Sequence, residues 1–229
     1  MNTFFFDISP DYFCVSFGAM LVISFIMNRH SRHFYTLHVF VRKFSMIDLE
    51  LPASPLELVT YIKGIFKLPP ALAKSSSQAL KANLSLRFLL APFAYGSLFL
   101  ASMQLAVRLA SFGHWLFGFL AWLQIIPLVC DVLETVYLLK RIDPGVEIPT
   151  PKVYKAFQLT ALCKWACILV TVVFIVSTVL YLWLTGSYGP FFPHYLLIVA
   201  SETIIYFALI RFTSKYPEIN PDPYQNIGN

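Results

Sequence analysis

Apolar positions in this chain gather into five long runs, not into the short alternating segments of a barrel. The runs cover residues 12–27, 88–107, 115–139, 157–184 and 191–212. A helix rises about 1.5 Å per residue, and the hydrocarbon core of a bilayer is about 30 Å thick. Four of the runs satisfy that length. The first reaches only about 24 Å, so it must extend upstream or lie partly in the interface. The pattern predicts an all-α membrane protein of about five transmembrane helices, with a cytoplasmic amphipathic helical loop between the first and second.

That loop, residues 28–87, is the one long connection. Its piece FSMIDLEL alternates loosely and is expected to be extended. Ser54, Pro55 and Glu57 then make a helix start, with a capping serine, a first-turn proline and an acid three residues after the cap. The helix that follows is apolar over most of its surface, carries Lys63 and Lys67, and should lie on the membrane surface or under the bundle. Pro69-Pro70 ends it. A second amphipathic piece, ALAKSSSQALKANLSL, leads to Arg87. The expected organisation is a first helix (1–27), a basic loop (28–87), a four-helix bundle (88–213) and a polar, proline-rich tail (214–229). On the second span, Gly96, Ser97, Ala101 and Ser102 suit a close helix approach.

Charge orients the bundle. Sixteen of the seventeen Lys and Arg fall on the side of the long loop, and only Arg108 falls opposite. The loop side is therefore expected to be cytoplasmic, with the N-terminus outside and the C-terminus inside. No Lys or Arg precedes the first run, and no small-residue cleavage site follows it, so it is expected as a retained helix.

Composition agrees with the pattern: 58% of residues are hydrophobic, 13% are charged, and mean hydropathy is +0.67. The net charge of +5 does not indicate nucleic acid, because the basic residues lie between apolar spans. Lipid headgroups and other membrane subunits are the expected partners. Arg29, Arg32, Arg42, Lys43, Lys63 and Lys67 are the candidate lipid- or partner-binding residues of the loop. Asn83-Leu84-Ser85 matches a glycosylation pattern, but a cytoplasmic loop would not be modified. Cys14, Cys130, Cys163 and Cys167 all lie in apolar segments. Cys163 and Cys167 are one helical turn apart, yet no membrane-embedded histidine joins them, so neither a metal nor another cofactor is expected. No nucleophile, zinc-hydrolase or phosphate-loop motif is present.

The chemistry lies in the third run. Gln124, Pro127, Asp131 and Glu134 share one face of it. Each mid-membrane acid costs roughly 2.5–3.5 kcal/mol, while each of fourteen Leu, Ile, Phe and Val residues returns roughly 0.3–0.6. The helix is close to break-even until the acids find a partner. Lys164 on the fourth run lies at a similar depth from the same side, as does Glu202 on the fifth. Thr160, Lys164, Cys167, Thr171 and Thr178 make a polar stripe that should face the third run, with Lys164 between the acids. The expected intramembrane polar cluster is Asp131, Glu134, Lys164, Glu202 and Gln124. It reads either as a clasp between helices or as an ion or proton pathway. Asp48 and Glu50 are candidate carboxylates for an interfacial enzyme, or else ordinary loop charges.

The segments FSMIDLELPASP, LQIIPLVCDVLETVYLL and LTALCKWACILV resemble a family of small, uncharacterised bacterial multi-span membrane proteins. The family pattern Pro-x3-Asp-x2-Glu-Asn corresponds here to Pro127, Asp131 and Glu134, with Thr135 in place of the final Asn. A lysine pattern corresponds to Lys164. The fifth run, with Glu202, departs from the family's usual four. The resemblance implies a multi-pass protein of the bacterial cytoplasmic membrane and no established activity. Together with the residue reading, it favours a non-catalytic scaffold or accessory subunit. A small proton-coupled transporter and an interfacial enzyme are the alternatives.

Overall fold

The computed structural model describes residues 9–38, 40–187 and 192–214. Apart from one small hairpin they are organised as helices. Among the described residues, five helical segments are long and apolar enough to span a membrane: Pro10–Ser31, Pro70–Arg108, Phe112–Arg141, Pro151–Leu184 and Pro193–Thr213. The protein is an all-α, multi-pass membrane protein. Residues 188–190 of the expected last turn, and the expected tail beyond Ser214, lie outside the described residues.

The first helix, α1, runs over Pro10–Ser31, longer than its apolar run alone suggests. The Ser9 side chain accepts from the Asp11 amide, Pro10 fits the first turn, and Arg29 and His30 sit in the last turn, where cations suit the helix dipole. Its 22 residues span about 33 Å.

The long loop is a folded cap. Strands β1 (Tyr35–Leu37) and β2 (Val41–Lys43) pair antiparallel, a hairpin that the hydrophobic pattern does not signal. The segment expected to be extended instead forms a short helix, α2 (Met46–Glu50). Ser45 is the reason: its hydroxyl caps the Asp48 amide, and the Asp48 carboxylate accepts from the Ser45 amide at 2.7 Å. That reciprocal capping box nucleates a turn that loose alternation cannot oppose. Helix α3 (Pro55–Phe66) starts as expected, with the Glu57 amide donating to Ser54 Oγ at 3.1 Å. Glu57 reaches one residue further back than a standard box, to the Ala53 amide at 2.7 Å.

Helix α4 (Pro70–Arg108) has 39 residues and is about 58 Å long, far more than a bilayer needs. The expected boundary at residue 87 falls inside it. The amphipathic piece and the second span are one rod, because no glycine or proline interrupts the helix-forming residues between Pro70 and Pro92. Its first turns belong to the cap. There, Ala79, Leu80 and Leu84 join Phe34, Phe44, Leu49, Leu58, Ile62 and Ile65 in one buried core, closed by Leu138, Ile142 and Phe157 from the later helices. Burial and the nearby Glu57 carboxylate push the Tyr61 phenol above its ordinary range.

Gly64 marks the tightest joint of the cap. A Cβ there would lie 2.0 Å from Thr36 Oγ1 and 2.8 Å from the Leu37 carbonyl oxygen. The Thr36 hydroxyl donates to the Tyr61 carbonyl at 3.0 Å, which holds β1 flat on α3. Gly64→Ala should therefore lift the hairpin and destabilise the protein by about 1–3 kcal/mol. Unfolding in detergent micelles measures this, and a variant as stable as the parent would disprove the contact.

The third span is broken. Helices α5 (Phe112–Leu123) and α6 (Ile125–Arg141) meet at Gln124. Pro127 supplies the cause, since it has no amide hydrogen and its ring crowds the carbonyl four residues back, at Leu123. Helix α7 (Pro151–Leu184) returns antiparallel beside α6, and α8 (Phe192–Ser214) packs on α1. At the end of the bundle away from the cap, Leu105, Ala106, Phe117, Leu120 and Leu182 form a second buried core. Gly96 of α4 faces Ser16 of α1, and Ser97 and Ser102 are buried, as a close approach of small residues requires.

Candidate functional site

Asp131 and Glu134 are one turn apart on α6, so both point toward α7. Lys164 meets them from α7. Its ammonium lies 3.1 Å from Asp131 Oδ1 and also donates to Glu134 Oε2. The expected pairing across α6 and α7 is present. Two further residues complete it. Glu50, the last residue of α2, accepts from Lys164 at 2.9 Å through Oε2. Arg87 of α4 bridges Glu50 Oε1 at 2.7 Å and Asp131 Oδ1 at 2.6 Å, and stands 4.0 Å from Glu134 Oε2. All five residues are nearly excluded from solvent: Glu134 and Lys164 are each 1% exposed, and none of the five exceeds 6%.

The network sits at the seam between cap and bundle. It joins α2, α4, α6 and α7 by charge, beside the apolar core that the same helices share. A buried pair of this kind gains little net stability over a well-packed apolar one, but it is costly to break. If all five groups are ionised, three carboxylates face two cations, and one negative charge is left over. A proton or a bound cation would balance it.

Glu50 and Arg87 are the two members that sequence reasoning did not place here. Glu50 stood only as an interfacial carboxylate beside Asp48, and Arg87 as the end of the loop. Asp48 is elsewhere, held by Ser45. The excess of acids over one lysine was the available signal, because it calls for a second cation at the same depth.

Two expected members lie outside the network. Gln124, about two turns before Asp131 on the same face, donates instead to Thr171 Oγ1 at 2.7 Å and to the Leu120 carbonyl at 3.1 Å. It pins the break in the third span to α7. Glu202 does not join Lys164. Helix α8 packs on α1, and a Cβ on Gly18 would lie 3.0 Å from Glu202 Oε1. Matching depth did not imply matching face, since α8 packs on a different side of the bundle from α6 and α7.

The basic residues of the loop divide similarly. Arg29, Arg42, Lys63 and Lys67 are exposed. Lys43 is exposed and lies over the Tyr35 ring, 5.6 Å from its centroid. Arg32 is spent on the end of α8, donating to the Thr213 carbonyl and, at 2.9 Å, to its hydroxyl. Asn83 is 2% exposed and donates to the Met27 carbonyl at 2.8 Å, so it ties α4 to α1. Cys14, Cys130, Cys163 and Cys167 are free thiols.

A cleft of about 590 Å³ opens beside the network. Glu50, Arg87, Asp131 and Lys164 line its polar wall, while Leu90, Ala94 and Ile168 are among its apolar lining. Fold and site together define a polytopic α-helical membrane protein with a charged seam between its spans and its cap. Comparison of the chain with protein-family models, with curated proteins and with solved structures finds no match.

Proposed function

We propose that the protein is a non-catalytic scaffold or accessory subunit of a complex in a bacterial cytoplasmic membrane. Its N-terminus would lie outside and its C-terminus in the cytoplasm, with the basic cap against anionic headgroups or a partner subunit. The supporting observation is how the network is spent. Each of its two cations contacts carboxylates from more than one element, so the charges act as a clasp locking the cap onto three helices. The outer faces of α7 and α8 add to this reading. They expose Leu169, Val173, Leu180, Leu197, Ile204 and Phe207 to lipid or to a neighbouring subunit.

The second reading is a proton-coupled carrier, favoured by the cleft that reaches Asp131 and Lys164. One comparison separates the two. The scaffold reading expects Glu134→Gln combined with Lys164→Met to purify as the same complex as the parent. It also expects proteoliposomes of either protein, loaded with a pH-sensitive dye, to carry no proton flux. A clean monomer from native membranes, or a flux lost in the double variant, would sink the scaffold reading.

A further inference from the structure

We propose that the cleft beside the charged network binds an organic monocation: a protonated primary amine carried on an apolar chain. This goes beyond the scaffold reading and does not depend on it.

The hydrogen-bond inventory sets the sign of the ligand. A lysine ammonium has three hydrogens, and Lys164 directs its bonds at Glu50, Asp131 and Glu134. Arg87 donates through Nη2 to Asp131, and its Nη1 stands 2.7 Å from Glu50 Oε1 as an ion pair without hydrogen-bond geometry. The cations that line the cleft are thus engaged with protein carboxylates, and an anion entering it would find the ammonium already committed. Acceptors remain. Both cations take Asp131 through Oδ1, so Oδ2 receives none of these bonds. Asn83 lines the same cleft, and its Oδ1 has no partner although the residue is 2% exposed. A buried amide oxygen without a donor costs free energy, and a ligand N–H arriving there would recover it. With all five groups ionised, the network's one excess negative charge is the electrostatic complement to a single positive charge.

The walls set the rest of the ligand. The volume, about 590 Å³, falls within the roughly 300–1,000 Å³ of small-molecule sites and far exceeds a bare metal ion. Leu90, Ala91, Ala94 and Ile168 offer apolar surface next to the carboxylates. That combination fits an amine whose carbon chain lies along α4 and α7 while its ammonium reaches Asp131 and Asn83. Tyr206 of α8 and Trp165 of α7 also line the cleft, and Tyr206 shares a hydrogen bond with Ser24 at 3.0 Å. The amine's source is either a free alkylamine or a lipid with a primary-amine headgroup, and both share this chemistry.

Titration calorimetry of the full chain in detergent, with hexylamine as probe and hexan-1-ol and hexanoate as controls, tests the site. Hexylamine should bind at least tenfold tighter than either control. Ala94→Phe, which adds bulk to the apolar wall and replaces no member of the network, should weaken hexylamine at least tenfold at an unchanged melting temperature. Asn83→Leu should weaken it too. Should Ala94→Phe fail to fold, the Asn83→Leu titration decides. Equal binding of hexanol, a preference for hexanoate, or wild-type affinity in the folded variants would overturn the proposal. Nanodiscs identify the source. Loss of hexylamine binding in discs of a primary-amine phospholipid, but not in discs of a phosphoglycerol lipid, supports a lipid amine. Retained binding in both supports a free one.

Discussion

Lys164→Met is expected to cost the folded protein about 3–5 kcal/mol, among the largest losses available to a single substitution in this chain. The lysine is 1% exposed, and its ammonium touches all three carboxylates of the network. Removing it leaves Glu50, Asp131 and Glu134 against Arg87 alone, two negative charges in excess rather than one. Glu134 suffers most, because its other cation, Arg87, is 4.0 Å away. Adding Glu134→Gln restores the original excess of one and should recover at least half of the loss. Denaturant titration in mixed micelles measures both variants. A loss under about 1 kcal/mol for Lys164→Met would mean that the network does not hold α6 to α7. A double variant no better than the single one would mean that the loss comes from packing, not charge.

Arg87→Met should have a comparable cost but a different location. Arg87, like Lys164, connects the cap, through Glu50, to the bundle, through Asp131. Its loss again leaves two uncompensated charges, and it weakens the joint at the end of α2. The cap keeps its apolar core, and Tyr154 still donates to the Pro52 carbonyl at 2.7 Å, so the cap should loosen without leaving. Hydrogen exchange is the measurement. Amides of α2 should exchange at least tenfold faster, a change of about 1.4 kcal/mol in opening free energy. Those around Leu105, Phe117 and Leu182 should not change. Glu50→Gln is the control. It brings the network to two carboxylates and two cations and should be milder. Uniform acceleration along the chain would show that Arg87 supports the whole fold rather than the seam.

Local rules carried much of the architecture. The span count, the start of α3 at Ser54 and its end before Pro69 are consequences of hydrophobic run length, capping and proline chemistry. The same rules explain two departures once they are applied at finer grain. Ser45 and Asp48 form a capping box inside a stretch whose alternation resembled a strand. Pro127 breaks the third span, which length alone left whole. The hairpin at Tyr35–Leu37 has no such local cause. Its strands are three residues each, too short for a periodic signal, and it exists because Gly64 leaves room for Thr36 against α3.

By itself, the sequence determined that the chain crosses a membrane with helices, and that Asp131 and Glu134 need a cation, with Lys164 the natural one. Those conclusions rest on quantities additive along the chain: apolar length, insertion cost and spacing on a helix face. Only the tertiary structure decided that Glu50 and Arg87 complete the network while Gln124 and Glu202 do not. Depth in the membrane can be read from residue number, but the side of the bundle on which a helix packs cannot. Side chains in distant segments become partners only after the cap folds back and the helices choose their neighbours.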